Sequence, residues 1–329
     1  MDFELTEDQE ALAEGVAALC EGRFDIETVR AMADGGLDRS RWTELADTGV
    51  FSLCVPEAEG GVGLGWAEAA VVFEQLGKAL VPGPLIATTL AAGVVDGAAD
   101  GSVVVASVER TAGPTMIEHL GWADVLVIVD DEGLATVPTA DLDGRPSEQP
   151  LDPLTPVWTI DELPAGTSVG EGAAAAAWRT RGAMLTAALQ LGIAVGATEL
   201  AVAYAKEREQ FGKPIGAFQA VKHRCADMVT RVEVLRAAVY AAGCTLDGNG
   251  VDAPERTVAV AKILASHAAA ACGKDCVQVH GGMGYTWEVD AHLFLKRAWV
   301  HDLGFGEGEE FAERLADDLV RNLAGNPAR

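Results

Sequence analysis

The sequence predicts a mainly α-helical protein carrying a small β module, and three observations support that expectation. The 329 residues are 49% hydrophobic, with alanine supplying much of the apolar content, a composition that favours helix. Apolar residues recur at helical spacing through the first hundred residues or so and again from about residue 172 onward. Between them the chain breaks into short β-like runs separated by Asp, Gly and Pro. These changes divide it into 1–100, 101–171 and 172–329.

In chain order, "TEDQEALAEGVAALC" opens a helix with Thr6 placed as N-cap and Gln9 three residues on, close to a capping box. The glycine-rich loop "PEAEGGVGLG" follows, and a second helix runs from about Trp66 to Leu80, stopping before Pro82-Gly83-Pro84. The β-like runs are "SVVVASV", "DVLVIVD" and "GLATVP". No G-x-G-x-x-G follows a strand and no helix separates the runs, which excludes a doubly wound nucleotide-binding sheet. "RGAMLTAALQLGIAVGATELAVAYAKERE" is apolar on nearly every face, so it is a helix buried all round or a membrane span. Its Ala, Gly and Thr content, Glu199 and its isolation favour burial. Further helices at about 219–245, 254–276, 288–300 and 309–323 predict a bundle.

The formal charge of −26 excludes binding to nucleic acid or anionic membranes through a basic surface. A nucleotide held by such a chain must find its own arginine and backbone N–H donors, and Arg208 stands where they would be needed. Six cysteines form no C-x-x-C pair, and the start "MDFELTEDQE" has neither the basic nor the apolar region of a signal peptide. Reduced thiols in the cytoplasm are expected. Cys272 and Cys276, four apart, either share a metal or sit in the core, and the core reading is preferred.

Two stretches carry more than composition. "YAKEREQFGKPIGAFQAVKHRCADM" breaks a long apolar helix at Arg208, Phe211, Gly212 and Pro214 and restarts at Gln219, while "QVHGGMGYTWEVDAHLFLKRAWV" places Gly281-Gly282 after a helix. Both resemble the signatures of the acyl-CoA dehydrogenase family, and "PEAEGGVGLG" with "FEQLGKALVPGP" is similar to its amino-terminal domain. The resemblance implies a helical amino-terminal domain, a central β domain and a carboxy-terminal four-helix bundle, assembled as a dimer of dimers. It further implies FAD at the dimer interface, an acyl-CoA thioester substrate, removal of two hydrogens from Cα and Cβ, and electron-transfer flavoprotein or a similar acceptor.

On this resemblance Arg208, Phe211 and Gln219, with Gln210 and Phe218 beside them, contact the FAD of the neighbouring subunit, and Gln278, Gly281 and Gly282 lie by its adenosine half. A guanidinium suits a pyrophosphate, an aromatic face suits a flat ring, and glycine lets backbone approach closely. Taken singly, a Gly-Gly after a helix is a C-cap and an Arg near a helix end is a solvated charge; only their joint order carries the cofactor reading. His223 and His280 are assigned to the bundle and its motif backbone rather than to acid–base work, and Trp287 and Trp299 to packing.

The sequence also departs from the family. The usual base is a Glu in a Tyr-Glu-Gly-Thr turn, and counting from the double glycine places Phe305 there, within Gly304-Phe305-Gly306-Glu307. Some relatives carry the base near the start of the long buried helix, where Gly182 and Ala183 stand. Glu307 is a displaced candidate. The β module lacks the family's Thr-Glu-Pro and Trp-Ile-Thr stretches. The expectation is therefore a shortened subunit that completes the FAD site of a paralogous partner, similar to heteromeric actinobacterial enzymes of steroid side-chain degradation. A homomeric enzyme using Glu307 or Asp302, and a non-redox acyl-CoA-binding or scaffold relative, are the alternatives.

Overall fold

The computed structural model describes residues 5–250 and 252–325; residues 1–4 of the N-terminal stretch read above lie outside them. The chain forms two compact units, one made of Glu7–Val72 with Ala79–Gly182, the other joining Phe73–Lys78 to the chain from Ala183 onward.

In the first unit, short capped helices precede the strands. α1 (Glu7–Arg23) places Glu7, Asp8 and Glu10 in its first turn, where the helix dipole favours them. α2 (Ile26–Gly35) is capped by Asp25, which accepts from the Thr28 N–H at 2.8 Å. α3 (Arg39–Asp47) is capped by Asp38, which accepts from Ser40 and Arg41. Trp42 is fully buried and its ring lies 4.6 Å from that of Phe51. α4 (Trp66–Lys78) begins here, and α5 (Leu85–Ala91) is buried almost throughout.

The β module forms two small sheets. The predicted runs appear as β1 (Val105–Glu109), β3 (Val125–Val129) and β4 (Gly133–Pro138). Four strands were not legible: β2 (Thr115–Glu118), β5 (Arg145–Pro146), β6 (Val157–Ile160) and β7 (Thr167–Glu171). They are short, and β7 is half-exposed without apolar alternation, so no period-2 signal marks them. One sheet has the order β1-β3-β4-β7, with β1 parallel to β3 and the other pairs antiparallel; the second is β2-β6-β5. Arg110 pairs with Asp130 at 3.1 Å and donates to the carbonyls of Leu163 and Pro164, closing the module over its last loop.

The second unit is helical. α6 (Gly172–Glu207) runs through it from Ala183, and 83% of its most apolar window is buried, which accounts for apolar residues on every face. Gly192 and Gly77 let α6 meet the last turns of α4 backbone to backbone: a Cβ at Gly192 would fall on the Glu74 carbonyl, and one at Gly77 on that of Leu189. Glu74, itself buried, receives Arg236 at 3.0 Å and the Tyr240 hydroxyl at 2.6 Å.

α7 (Gln219–Leu246), α8 (Pro254–His280), α9 (Ala291–Leu303) and α10 (Gly308–Gly325) complete the unit, with α8 the common neighbour of the other three. α8 runs one turn beyond its expected end because Cys276, Val277, Val279 and His280 remain in the core. Cys272 and Cys276 are buried, and burial pushes the Cys276 thiol up to about 12. They behave as small core residues, and neither is in a disulfide.

Candidate cofactor site

The break in the long helix is a hairpin. α6 ends at Glu207, β8 (Glu209–Gln210) pairs antiparallel with β9 (Lys213–Pro214), and Phe211 and Gly212 form the two-residue turn with φ of 55° and 77°. Both residues are left-handed, as the hairpin turn matching strand twist requires. Asn-Gly is the usual solution; here a phenylalanine holds the first place and is 92% exposed. The Ile215 N–H closes the hairpin onto the Arg208 carbonyl at 2.7 Å.

The helix resumes at Gln219, as the sequence predicts. Phe218 stands at the N-cap of α7 without a side-chain cap, leaving the first N–H groups of a 28-residue helix uncapped. Phe218 is half-buried, with Lys213 Nζ 4.4 Å from its ring centre and Phe211 edge-on at 6.1 Å.

The second motif turns at the end of α8. Gly281 is the C-cap, with φ 62° and its N–H on the Gln278 carbonyl, so the bland reading of a lone Gly-Gly describes its local role. A Cβ at Gly281 or Gly282 would meet nothing within 4 Å, so the turn presents open backbone. Gln278 is exposed beside it.

The two motifs meet. Tyr204, one turn before Arg208, stacks on His280 with ring centres 4.2 Å apart. Sequence reasoning missed Tyr204 altogether, since no local pattern marks a pair so distant in the chain.

These residues suit an FAD edge. Arg208, Gln219 and Gln278 are exposed, and among the described residues their side chains make no hydrogen bond or ion pair. Gln210 donates only to the carbonyl of Glu209. A free guanidinium, free amides, an exposed aromatic ring and unobstructed glycines match the donor and stacking needs of a dinucleotide.

Phe305 and Ala183 stand at the two places where the resemblance leads one to expect the base. Phe305 is half-buried at φ 57°, followed by Gly306 at φ 101°. A Cβ at Gly304 would lie 3.6 Å from Thr186 Cγ2, and Thr186 is one turn beyond the fully buried Ala183. The Gly304 turn thus lies against α6 one turn beyond Ala183.

Glu307 is exposed at the start of α10, its carbonyl accepting from the Phe311 N–H. Its charge acts on Lys262, a fully buried lysine whose Nζ donates to the carbonyls of Asp302 (2.9 Å) and His301 (3.1 Å) at the end of α9. Burial lowers the Lys262 ammonium to about 8, against the pull of Asp302, Glu307 and Glu310.

His223 is exposed on α7. The packing expectation for the tryptophans is corrected: Trp287 is 62% exposed, with Lys296 over its ring at 4.6 Å and His292 edge-on, and Trp299 is also exposed. Trp287 stays out of the core because the segment after α8 runs along the surface, and Trp299 lies on an exposed face of α9.

Comparison with known proteins agrees with this geometry. The family models described as acyl-CoA dehydrogenase, N-terminal domain and C-terminal domain match residues 6–101 and 170–319. Acyl-CoA dehydrogenase IpdE2 of Mycolicibacterium smegmatis is 37% identical over 96% of this chain and 100% of its own length. Its namesake in Mycobacterium tuberculosis is 36% identical over 89% and 91%. Among solved structures, a chain of the ChsE4-ChsE5 complex from Mycobacterium tuberculosis superposes with a TM-score of 0.83 at 25% identity, covering 97% of this chain and 99% of that one. Domain matches at both ends, identity along the whole length, the shared fold and the dinucleotide-fitting edge make this chain a member of the acyl-CoA dehydrogenase family, with FAD as its cofactor.

Proposed function

We propose that the chain is one of two unlike subunits of an FAD-dependent acyl-CoA dehydrogenase, and that it completes the FAD site of a paralogous partner. The observation that carries the reading is the asymmetry within this chain. Arg208, Gln219 and Gln278 are exposed and, among the described residues, unengaged, while Phe305 stands where the resemblance places the base.

In this reading Arg208 neutralises the pyrophosphate, with Gln219 and Gln278 donating amide hydrogen bonds. Phe211 and Phe218 offer ring faces, and Gly281 and Gly282 admit the cofactor close to backbone. FAD, when bound, supplies the hydride acceptor. The α-proton goes to a carboxylate of the partner, since Phe305 and Ala183 accept none. The three-part division 1–100, 101–171 and 172–329, a sterol side-chain thioester as substrate, an electron-transfer flavoprotein as acceptor and a cytoplasmic location belong to the same proposal. That one comparison structure is a complex of two differently named components supports it.

The test is expression of this chain alone and with candidate paralogues, counting flavins per assembly. The expected result is no stable flavin in the chain alone and one FAD per pair of unlike chains. A yellow, active homo-oligomer of this chain overturns the proposal.

A further inference from the structure

A ring contact joins the two motif segments. Tyr204 precedes Arg208 by one helical turn, and the Arg208 N–H donates to its carbonyl at 2.8 Å. His280 immediately precedes Gly281 and Gly282. Their rings stack at 4.2 Å with 25° between planes.

His280 is 5% exposed, and its Nδ1 lies 2.8 Å from the Cys276 carbonyl oxygen. A carbonyl only accepts, so His280 Nδ1 carries a proton and donates it to that oxygen. The ring is held on its edge by that bond and on its face by Tyr204. Two rigid contacts on one residue fix the backbone that enters the left-handed Gly281.

We propose that Tyr204 and His280 are a positioning pair. Their stack sets the spacing between the Arg208–Phe211 hairpin and the Gln278–Gly282 turn, so that both reach one dinucleotide. Neither residue touches FAD in this account. The inference rests on the FAD-site reading above and adds the device that aligns its two halves.

The experiment measures FAD affinity and thermal stability of the co-expressed complex for Tyr204→Phe, Tyr204→Leu, His280→Asn, Arg208→Ala and the His280→Asn/Arg208→Ala double variant. His280→Asn keeps an amide donor for the Cys276 carbonyl and removes the ring. His280→Asn and Tyr204→Leu are expected to weaken FAD binding about tenfold, and Tyr204→Phe, which keeps the stack, by no more than about twofold. In the double variant the losses should be less than multiplicative, because an arginine already removed cannot also be misplaced.

A lowered melting temperature with unchanged FAD affinity of the folded complex overturns the pair's role, and so do fully multiplicative losses. Should Tyr204→Leu not fold, His280→Asn binding FAD like the parent overturns it equally. A parent complex that takes up no FAD overturns both this inference and the reading beneath it, which separates the two failures.

Discussion

Phe211 combines a left-handed backbone with a ring almost wholly in solvent, and each feature costs free energy in the isolated chain. Phe211→Asn, a residue suited to the first place of this turn, should stabilise the chain by about 1 kcal/mol while weakening FAD binding by the complex several-fold. Thermal melting and flavin titration on one preparation read both effects. Arg208→Ala removes a charge-assisted contact of about 1.5–3 kcal/mol, so FAD should bind roughly ten- to a hundredfold more weakly; unchanged flavin content would remove Arg208 from the site. Lys262 makes a separate prediction. Its folded-state value of about 8 lies below the ordinary 10.5, so between those values the unfolded chain holds more protons than the folded one. Stability should therefore rise with pH from about 8 to 10.5, by about 3 kcal/mol in all from this group. Denaturant unfolding of the parent and Lys262→Met across that range checks the slope, which the variant should lose.

At the scale of elements, packing is set where backbones touch. Gly192→Ala would drive a methyl into the Glu74 carbonyl where α6 crosses the last turns of α4, and neither backbone can yield without moving a helix. A loss of about 3 kcal/mol or more is expected, read as a lowered denaturation midpoint. Gly15, with nothing within 4 Å of its Cβ, is the control and should tolerate alanine. The same contrast explains what the sequence disclosed. The break at Arg208 and the restart at Gln219 were legible because Gly212, Pro214 and a return of periodicity are local signals. β5, two residues long, and the half-exposed β7 have no local signal, and their pairing depends on strands elsewhere. The helix break and the double glycine were legible through motif order, but the Tyr204–His280 stack that joins the motifs was not, being a tertiary contact between the ends of two long helices. Exposure of Trp287 was misread for a related reason: an aromatic next to a helix predicts burial on average, and only the path of the loop decides the case.

For the whole molecule, the decisive question is which chain supplies the carboxylate. Two acids of this chain could be asked to serve, Glu307 and Asp302. The Asp302 backbone carbonyl is held by Lys262 at 2.9 Å, and Glu307 stands exposed at the head of α10 with its charge felt by the same lysine. Glu307 is open to solvent, and Asp302 Oδ1, though buried, meets no hydrogen-bond donor among the described residues, so neither has a partner that would set it as a base. Glu307→Gln should therefore leave most of the activity of the assembled complex, while removal of the corresponding carboxylate from the partner should abolish it, a difference of three or more orders of magnitude. Both variants should retain their full complement of FAD, because the groups proposed to hold it lie on the hairpin and the double-glycine turn. Steady-state rates with flavin counted on the same samples test this directly. A Glu307→Gln complex that stays yellow and loses its turnover would return the base to this chain and make it the catalytic subunit.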